Sequence, residues 1–210
     1  MAQAQTTQPA GGGAPLAGPG GPGAAEVLAR SGFAVRGEFG QHFLRSPDAA
    51  SRLLECAELN ATTQVLEVGA GLGTLSAAVA ASGSRIWAVE RDARLRGILQ
   101  DRLRPFGQRA RITIGDVRGI DLDAGLDEGS VLVSILPFDW ELSAALASHV
   151  FAATRKVARG LVVVPRRTLE DRAAAGGDGL VWEEVDGISQ REFWPQAPGM
   201  LRVAAIRRRP

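Results

Sequence analysis

The sequence predicts an α/β fold: a mostly parallel seven-stranded sheet with helices on both faces and an antiparallel C-terminal edge. Three observations predict it. The apolar run Val65–Val68 leads straight into a glycine turn and a helical segment, as a central parallel strand does. Strand-like and helix-like segments then alternate to about Arg172. The last two strand-like segments, near Leu180–Val185 and Leu201–Arg207, have no helix between them, which favours an antiparallel pair.

The individual elements follow from local signals. Ser46 before Pro47 is an N-cap with proline at the first helical position, and it predicts a helix to about Glu58. Apolar runs predict strands that end at Gly69, Glu90, Gly115, Ile135 and Val164. The predicted helices between and after these strands span residues 74–82, 92–104 and 141–153 and a short segment to 172.

Composition divides the chain into a tail and a domain. Residues 1–25 are nearly all Ala, Gly, Pro, Gln and Thr, with no charge before Glu26. Such a segment buries too little apolar surface to offset its ordering entropy, so it is predicted to be a disordered tail. Residues 26–210 of this chain, which is 45% hydrophobic, are predicted to form one globular domain.

Composition also excludes several classes of function. No apolar run reaches transmembrane length and the N-terminus lacks the pattern of a signal peptide, which predicts a cytoplasmic protein. One cysteine and two histidines predict no metal site. A net charge of +1 argues against strong non-specific binding to nucleic acid. The basic C-terminus, Arg202 with Arg207–Arg209, could contact phosphate or remain solvated.

Three strand ends carry residues suited to a nucleoside-containing cofactor. Glycines at 69, 71 and 73 let the backbone turn tightly beside a ligand, and the next helix directs its first N–H groups at an anionic group. Glu90 ends the second strand at the distance from which an acid accepts ribose hydroxyls. Asp116, after the third strand, could accept from an adenine amino group.

Four motifs resemble one enzyme family. With Glu67 in its strand, the segment VLEVGAGLGTL at 65–75 resembles motif I of S-adenosylmethionine (SAM) methyltransferases. Residues 40–44, GQHFL, resemble the GQNFL/GQHFL signature of the rRNA adenine N6-dimethyltransferases, which include the ribosome-maturation dimethylases and the Erm methyltransferases. Residues 135–138, ILPF, stand where that family has Asn-Leu/Ile-Pro-Tyr/Phe, and 193–198, FWPQAP, resemble its Phe-x-Pro-x-Pro segment. The resemblance covers residues 33–207 and implies the class I, Rossmann-like SAM methyltransferase fold.

The resemblance also implies a cofactor, SAM, and the residues that hold it. It implies that Gln41, His42 and Leu44 line the cofactor pocket. Other residues are implied for the amino-acid part of SAM (Gly69, Gly71, Leu72), its ribose (Glu90) and its adenine (Asp116, Val117). Core packing is an alternative for Leu44.

The candidate catalytic residues are Ile135, Leu136, Pro137, Phe138, Asp139 and Phe193. The family's Asn accepts a hydrogen bond from the target amine, and Ile135 offers no acceptor there, although the carbonyl of Leu136 does. Phe138 could stack on a planar acceptor or pack in the core. Asp139 could take a proton, or it could cap the next helix.

Three departures from the family pattern favour a small-molecule acceptor. They are Ile135, the modest net charge, and a chain that ends at Pro210 without the family's C-terminal helical RNA-binding domain. Trp140 and Trp194 could wall an apolar acceptor pocket. The alternatives are an Erm-like rRNA adenine N6-methyltransferase and a non-catalytic protein that binds SAM or RNA.

Overall fold

The computed structural model describes residues 23–35, 40–175 and 179–210. Most of the tail predicted for residues 1–25 therefore lies outside the described residues. Helix α1 (Ala24–Ser31) begins two residues before the predicted start of the domain at residue 26. Val27 and Leu28 on one face of α1 are buried in a small apolar cluster with Leu95, and this burial stabilises the helix.

The main sheet has seven strands in the order β4-β3-β2-β5-β6-β9-β7. The strands from β4 to β6 are parallel, and β9 runs antiparallel between β6 and β7. The predicted mostly parallel sheet is confirmed, with the antiparallel strand inserted next to the edge. The strands are β2 (Gln64–Val68), β3 (Arg85–Glu90), β4 (Ala110–Ile114), β5 (Ser130–Ile135), β6 (Val157–Pro165), β7 (Leu180–Ile188) and β9 (Leu201–Arg208).

Helices cover both faces of this sheet, as predicted. On one face the core includes Leu53, Leu75 and Leu99, one from each of three helices, α2 (Pro47–Glu55), α3 (Thr74–Ala81) and α4 (Arg96–Leu103). The other face is covered by α5 (Leu122–Gly125), α6 (Trp140–Ala153) and α7 (Arg166–Ala175). Parallel strands read as continuous apolar runs because both of their faces are buried.

A second, two-stranded sheet was not predicted. Strand β1 (Phe43–Leu44) pairs antiparallel with β8 (Phe193–Trp194), so two segments 150 residues apart in the chain meet. The loop from β7 to β9 carries β8 across the carboxyl ends of the parallel strands, where binding sites of such sheets lie. None of the helices described here is long and apolar enough to span a membrane.

Candidate active site

A cavity of about 490 Å³ opens at the carboxyl edge of the sheet. Loops that follow β2, β3, β4 and β5 meet there, together with the segment that precedes β1. Most of the residues proposed from sequence line it: Gln41, His42, Gly69, Gly71, Glu90, Asp116, Val117, Ile135, Leu136, Pro137, Phe138 and Asp139. The fold thus brings both the cofactor motifs and the acceptor motif to one place.

The glycine turn after β2 requires glycine for two reasons. Gly69, Gly71 and Gly73 have φ of 82°, 56° and 75°, values that side-chain-bearing residues rarely adopt. A Cβ on Gly71 would lie 3.0 Å from the ring of Phe43, and one on Gly73 would lie 2.7 Å from Leu99. Glycine therefore serves both the conformation and the packing of the turn, and Gly69 and Gly71 expose their backbone to the cavity that they line.

Glu90 fastens this turn to strand β3. Its carboxylate accepts hydrogen bonds from the backbone N–H of Gly71 at 2.8 Å and of Asp92 at 2.7 Å. Burial raises the pKa of Glu90, and hydrogen bonds from the backbone N–H groups of Asp92, Gly71 and Arg91 oppose that rise. Because Glu90 lines the cavity at the end of β3, its carboxylate is placed to accept the hydroxyls of a ribose.

Asp92 is a site residue that the sequence analysis missed. Its carboxylate accepts from Gln41 Nε2 at 2.6 Å and from Arg94 Nη2 at 2.6 Å. Burial raises the pKa of Asp92, but these hydrogen bonds outweigh it and the net pKa is lowered. Asp92 thereby ties the Gln41 segment to β3. The signal that could have identified it is a second acid two residues after Glu90.

Asp116 lies at the end of β4 and lines the cavity. Its Oδ1 accepts from the backbone N–H of Arg118 at 3.0 Å, and the guanidinium of Arg118 bridges both carboxylate oxygens. These interactions hold the pKa of Asp116 well below its usual range. Asp116 therefore stays an ionised acceptor, which suits an amino donor of the cofactor's adenine.

Glu67 lies behind the cavity in strand β2. It is 2% exposed, and Ser76 of α3 donates its hydroxyl proton to Glu67 Oε2. The pKa of Glu67 is raised to about 8, mainly by burial; the Ser76 hydrogen bond opposes the rise and the nearby Glu90 adds to it. Glu67 links β2 to α3 under the glycine turn, so it supports the turn without lining the cavity.

At the acceptor end of the cavity, two rings pack together. His42 and Phe138 have centroids 5.2 Å apart with a 40° tilt. The Nδ1 atom of His42 lies 2.9 Å from the carbonyl oxygen of Pro195, so this nitrogen carries the ring proton that it donates. Phe138 lines the cavity and is half-buried, so a planar acceptor in the cavity would contact this residue.

The β5 end brings the acceptor motif next to the glycine turn. A Cβ on Gly69 would lie 3.7 Å from the carbonyl oxygen of Ile135, so the two motifs share one wall. Leu136 is held by its backbone N–H, which donates to the Val163 carbonyl at 3.1 Å. Asp139 accepts from the Leu142 N–H at 2.8 Å and caps α6, so the capping interpretation is confirmed.

Three residues proposed for the site lie in the core instead. Leu44 is 4% exposed and Phe193 is fully buried, because the β1–β8 pair packs them against the main core. Leu72 is 2% exposed and packs against the α1 cluster. Phe193 contacts Phe138 edge-on at 5.1 Å, so it supports the ring that lines the cavity. For Leu44 this is the core-packing alternative given above, and for Leu72 and Phe193 it replaces the expected place in the cavity wall.

Two further expectations change. The cavity wall does not include Trp140, which stacks with Arg167, or Trp194, which packs near α1.

Two of the four arginines of the basic C-terminus already bind other residues of the chain. Arg202 pairs with Glu184 at 2.7 Å, and Arg208 donates to the carbonyls of Phe151 and Thr154 at 2.7 and 2.6 Å.

The strand order, the glycine turn and the strand-end acids around one cavity define the class I SAM-dependent methyltransferases, and SAM is the cofactor of this class. Solved structures share the fold. The 23S rRNA methyltransferase ErmE has a TM-score of 0.63 at 22% identity and covers 80% of this chain and 70% of its own. A dimethyladenosine transferase from Plasmodium falciparum has a TM-score of 0.65 at 14% identity, over 80% of this chain and 63% of its own.

Within this class, the chain belongs to the ribosomal RNA adenine dimethylase family, whose model matches residues 32–179. Ribosomal RNA small subunit methyltransferase A of Acidothermus cellulolyticus is 32% identical over 207 residues, which cover 90% of this chain and 70% of the relative. The protein of that name from Geobacillus kaustophilus is 32% identical over 157 residues, 71% of this chain and 52% of its own length. The chain therefore spans between about half and 70% of the length of these curated relatives.

This membership confirms the suspected family and its cofactor, SAM, and it overturns the small-molecule acceptor favoured from sequence. The expectation of a small-molecule acceptor gave more weight to Ile135 and the net charge than to the family motifs. Net charge reports on non-specific attraction to nucleic acid, whereas the GQHFL and ILPF segments build the site itself.

Proposed function

We propose that this protein transfers methyl groups from SAM to the N6 atom of an adenine in ribosomal RNA. The observation that carries the proposal is the shared wall of the cavity, where the carbonyl of Ile135 and the ring of Phe138 stand beside the glycine turn. A flat base stacked on Phe138 would bring its exocyclic amine to that wall. Family membership supports an adenine over other planar acceptors.

The cavity residues that belong to the motifs have distinct roles in this proposal. Bound SAM would supply an electrophilic methyl group. Glu90 would hold its ribose and Asp116 its adenine, while the backbone of Gly69 and Gly71 would lie along its amino-acid part. The Leu136 carbonyl would accept a hydrogen bond from the target amine, and the rings of Phe138 and His42 would fix the plane of the base and exclude water.

The cytoplasmic location predicted from sequence stays a prediction, and it agrees with a ribosomal substrate. A protein that binds SAM or RNA without turnover is the alternative that the following experiment distinguishes.

The test uses the purified chain, methyl-tritiated SAM, and both small-subunit particles and free rRNA from cells that lack this gene. After incubation the RNA is digested to nucleosides and separated by chromatography. We expect label in N6-methyladenosine or N6,N6-dimethyladenosine. A Glu90→Ala variant, which loses the acceptor of the Gly71 N–H, should lose SAM affinity and labelling together.

Calorimetric titration with SAM separates the possible failures. SAM binding without label in RNA would contradict methyl transfer to rRNA and would favour a binding protein without turnover. Label in a base other than adenine would contradict the choice of acceptor. Absence of SAM binding would contradict the cofactor roles given to Glu90 and Asp116.

A further inference from the structure

A stacked cation and ring lie beside the acceptor motif, outside the cavity. The guanidinium carbon of Arg167 is 4.5 Å from the ring centroid of Trp140. Trp140 opens α6 directly after the cavity residue Asp139, and Arg167 is the second residue of α7, directly after β6. Both helices begin at the carboxyl edge of the sheet, so the pair flanks the opening of the cavity.

The two helix starts are fixed to each other. The hydroxyls of Ser143 and Thr168 lie 3.0 Å apart, and both also contact the carbonyl oxygen of Trp140, at 3.1 and 3.4 Å. Trp140 is half-buried and Arg167 is exposed. The ring of Trp140 therefore supports the guanidinium of Arg167, and the Arg167 side chain stays exposed to solvent.

Arg167 differs from the arginines on the cofactor side in how its positive charge is balanced. Arg94 and Arg118 are each neutralised by a carboxylate, Asp92 and Asp116. Within residues 23–35, 40–175 and 179–210, Arg167 makes no ion pair. A planar cation that is stacked and not neutralised is suited to bind a nucleobase and a phosphate together.

A groove of about 340 Å³ continues this surface. The backbone N–H of Arg166 donates to the Met200 carbonyl at 2.9 Å, so α7 begins next to the loop between β7 and β9. Met200 is 54% exposed and lines the groove with polar side chains, including the exposed Arg191. Pro198 of the same loop lines the cavity, so the groove and the cavity are neighbours.

We propose that the Trp140–Arg167 pair and the adjoining groove bind the single-stranded RNA next to the target adenine, with one base stacked on the guanidinium of Arg167. This assignment rests on the proposed function, because it assumes an RNA acceptor. Enzymes that act on a base need it out of the stack, and stacking platforms hold the flanking strand in a way that tolerates sequence differences.

The test measures binding of a short, fluorescently labelled, adenine-containing single-stranded RNA by anisotropy at several salt concentrations. The variants are Arg167→Ala and Arg167→Lys, with Arg155→Ala as a control that removes the same charge from an exposed site at the opposite edge of the sheet. We expect Arg167→Ala to raise Kd about tenfold and to lower the salt slope by about 0.7, while the control stays near wild type. Arg167→Lys should keep the salt slope and lose about threefold in affinity, because the ammonium carries the charge but cannot stack.

Steady-state methylation of the same RNA gives the second readout. We expect Arg167→Ala to raise KM for RNA with little change in kcat or in SAM affinity, which a merely structural role would not produce. Equal Kd values for Arg167→Ala and Arg155→Ala, or full rescue by Arg167→Lys, would overturn the assignment. Wild-type protein that binds the RNA but methylates no adenine in it, in small-subunit particles or in free rRNA would instead overturn the proposed function, and the Kd comparison would still decide the role of Arg167.

Discussion

Residue 135 is the position at which this chain departs most from its family's motif. Ile135 is half-buried at the end of β5 and lines the cavity. An amide there would add one acceptor for the target amine, whereas an aliphatic side chain leaves only backbone carbonyls. A donor left without a partner costs about 1–3 kcal/mol, so turnover by the natural chain should be slow without being abolished.

Replacing Ile135 by Asn tests this argument. We expect Ile135→Asn to raise kcat for adenine methylation about tenfold or more, since the added acceptor would recover part of the lost hydrogen bond. Ile135→Leu, which keeps the volume without an acceptor, is the matched control and should not gain activity. Equal rates for the Asn and Leu variants would show that the target amine does not approach this side chain.

Glu67 makes stability depend on pH. Its pKa is raised by burial from 4.5 to about 8 in the folded protein. Between these values the unfolded chain ionises Glu67 while the folded protein keeps it protonated, so the folded state binds more protons. The contribution of Glu67 to the free energy of unfolding therefore falls as pH rises from about 4.5 to 8, and is constant above that.

We expect Glu67→Gln to become more stable relative to wild type as pH rises through this window. The difference should grow by a few kcal/mol and is measured by urea unfolding at pH 5, 6, 7 and 8. Glu128→Gln, at an exposed carboxylate, controls for the loss of one charge. A difference for Glu67→Gln that does not grow with pH would show that Glu67 is already ionised in the folded protein.

At the scale of one element, Asp139 determines how α6 begins. Its carboxylate caps the helix through the Leu142 N–H, and it is exposed at the cavity edge. We expect Asp139→Ala to lower the free energy of unfolding by about 1 kcal/mol. Asp139→Asn should retain both stability and methylation, because Asn is as good a cap and no base is required. If Asp139→Asn folds normally but loses turnover, the carboxylate has a chemical role.

At the scale of the whole molecule, Arg208 joins the last strand to the end of α6. Its guanidinium donates to the carbonyls of Phe151, Thr154 and Val157 and lies 5.1 Å from the Phe151 ring centroid. The carbonyls of Phe151 and Thr154 lie at the C-terminal end of α6, where the last carbonyls of a helix lack intrahelical partners and a cation suits the helix dipole. Val157 begins strand β6, so Arg208 also ties the end of the helix to that strand.

We expect Arg208→Ala to lower the free energy of unfolding by about 2 kcal/mol, as measured by urea unfolding, because it leaves these carbonyls unsatisfied. Arg209→Ala is the control, since Arg209 is exposed and carries the same charge one residue later. An equal, small effect from both variants would mean that the contacts of Arg208 add nothing to stability. RNA-binding tests should therefore not truncate the C-terminal arginines together.

The elements of the fold that the sequence predicted are those with a strong local signal. The β2 strand with its glycine turn, the Ser46–Pro47 cap and the strand ends at Glu90 and Asp116 follow from apolar runs, glycine spacing and capping chemistry within a few residues. Helix α1 was missed because the composition of its Ala-rich start matches the tail. Strands β1 and β8 were missed because two-residue strands have no periodicity of their own.

By itself the sequence determined the alternation of strands and helices along the chain, the cofactor turn and the family to which the chain belongs, because these depend on local pattern and motif spacing. Only the tertiary structure decided which motif residues face the cavity. Leu44 and Phe193 belong to matching motifs, yet the pairing of β1 with β8 buries both of them. The tertiary structure also places Arg208 at the end of α6 and Arg167 over the ring of Trp140. Such contacts join distant parts of the chain, and their partners are fixed only when the whole sheet packs against its helices.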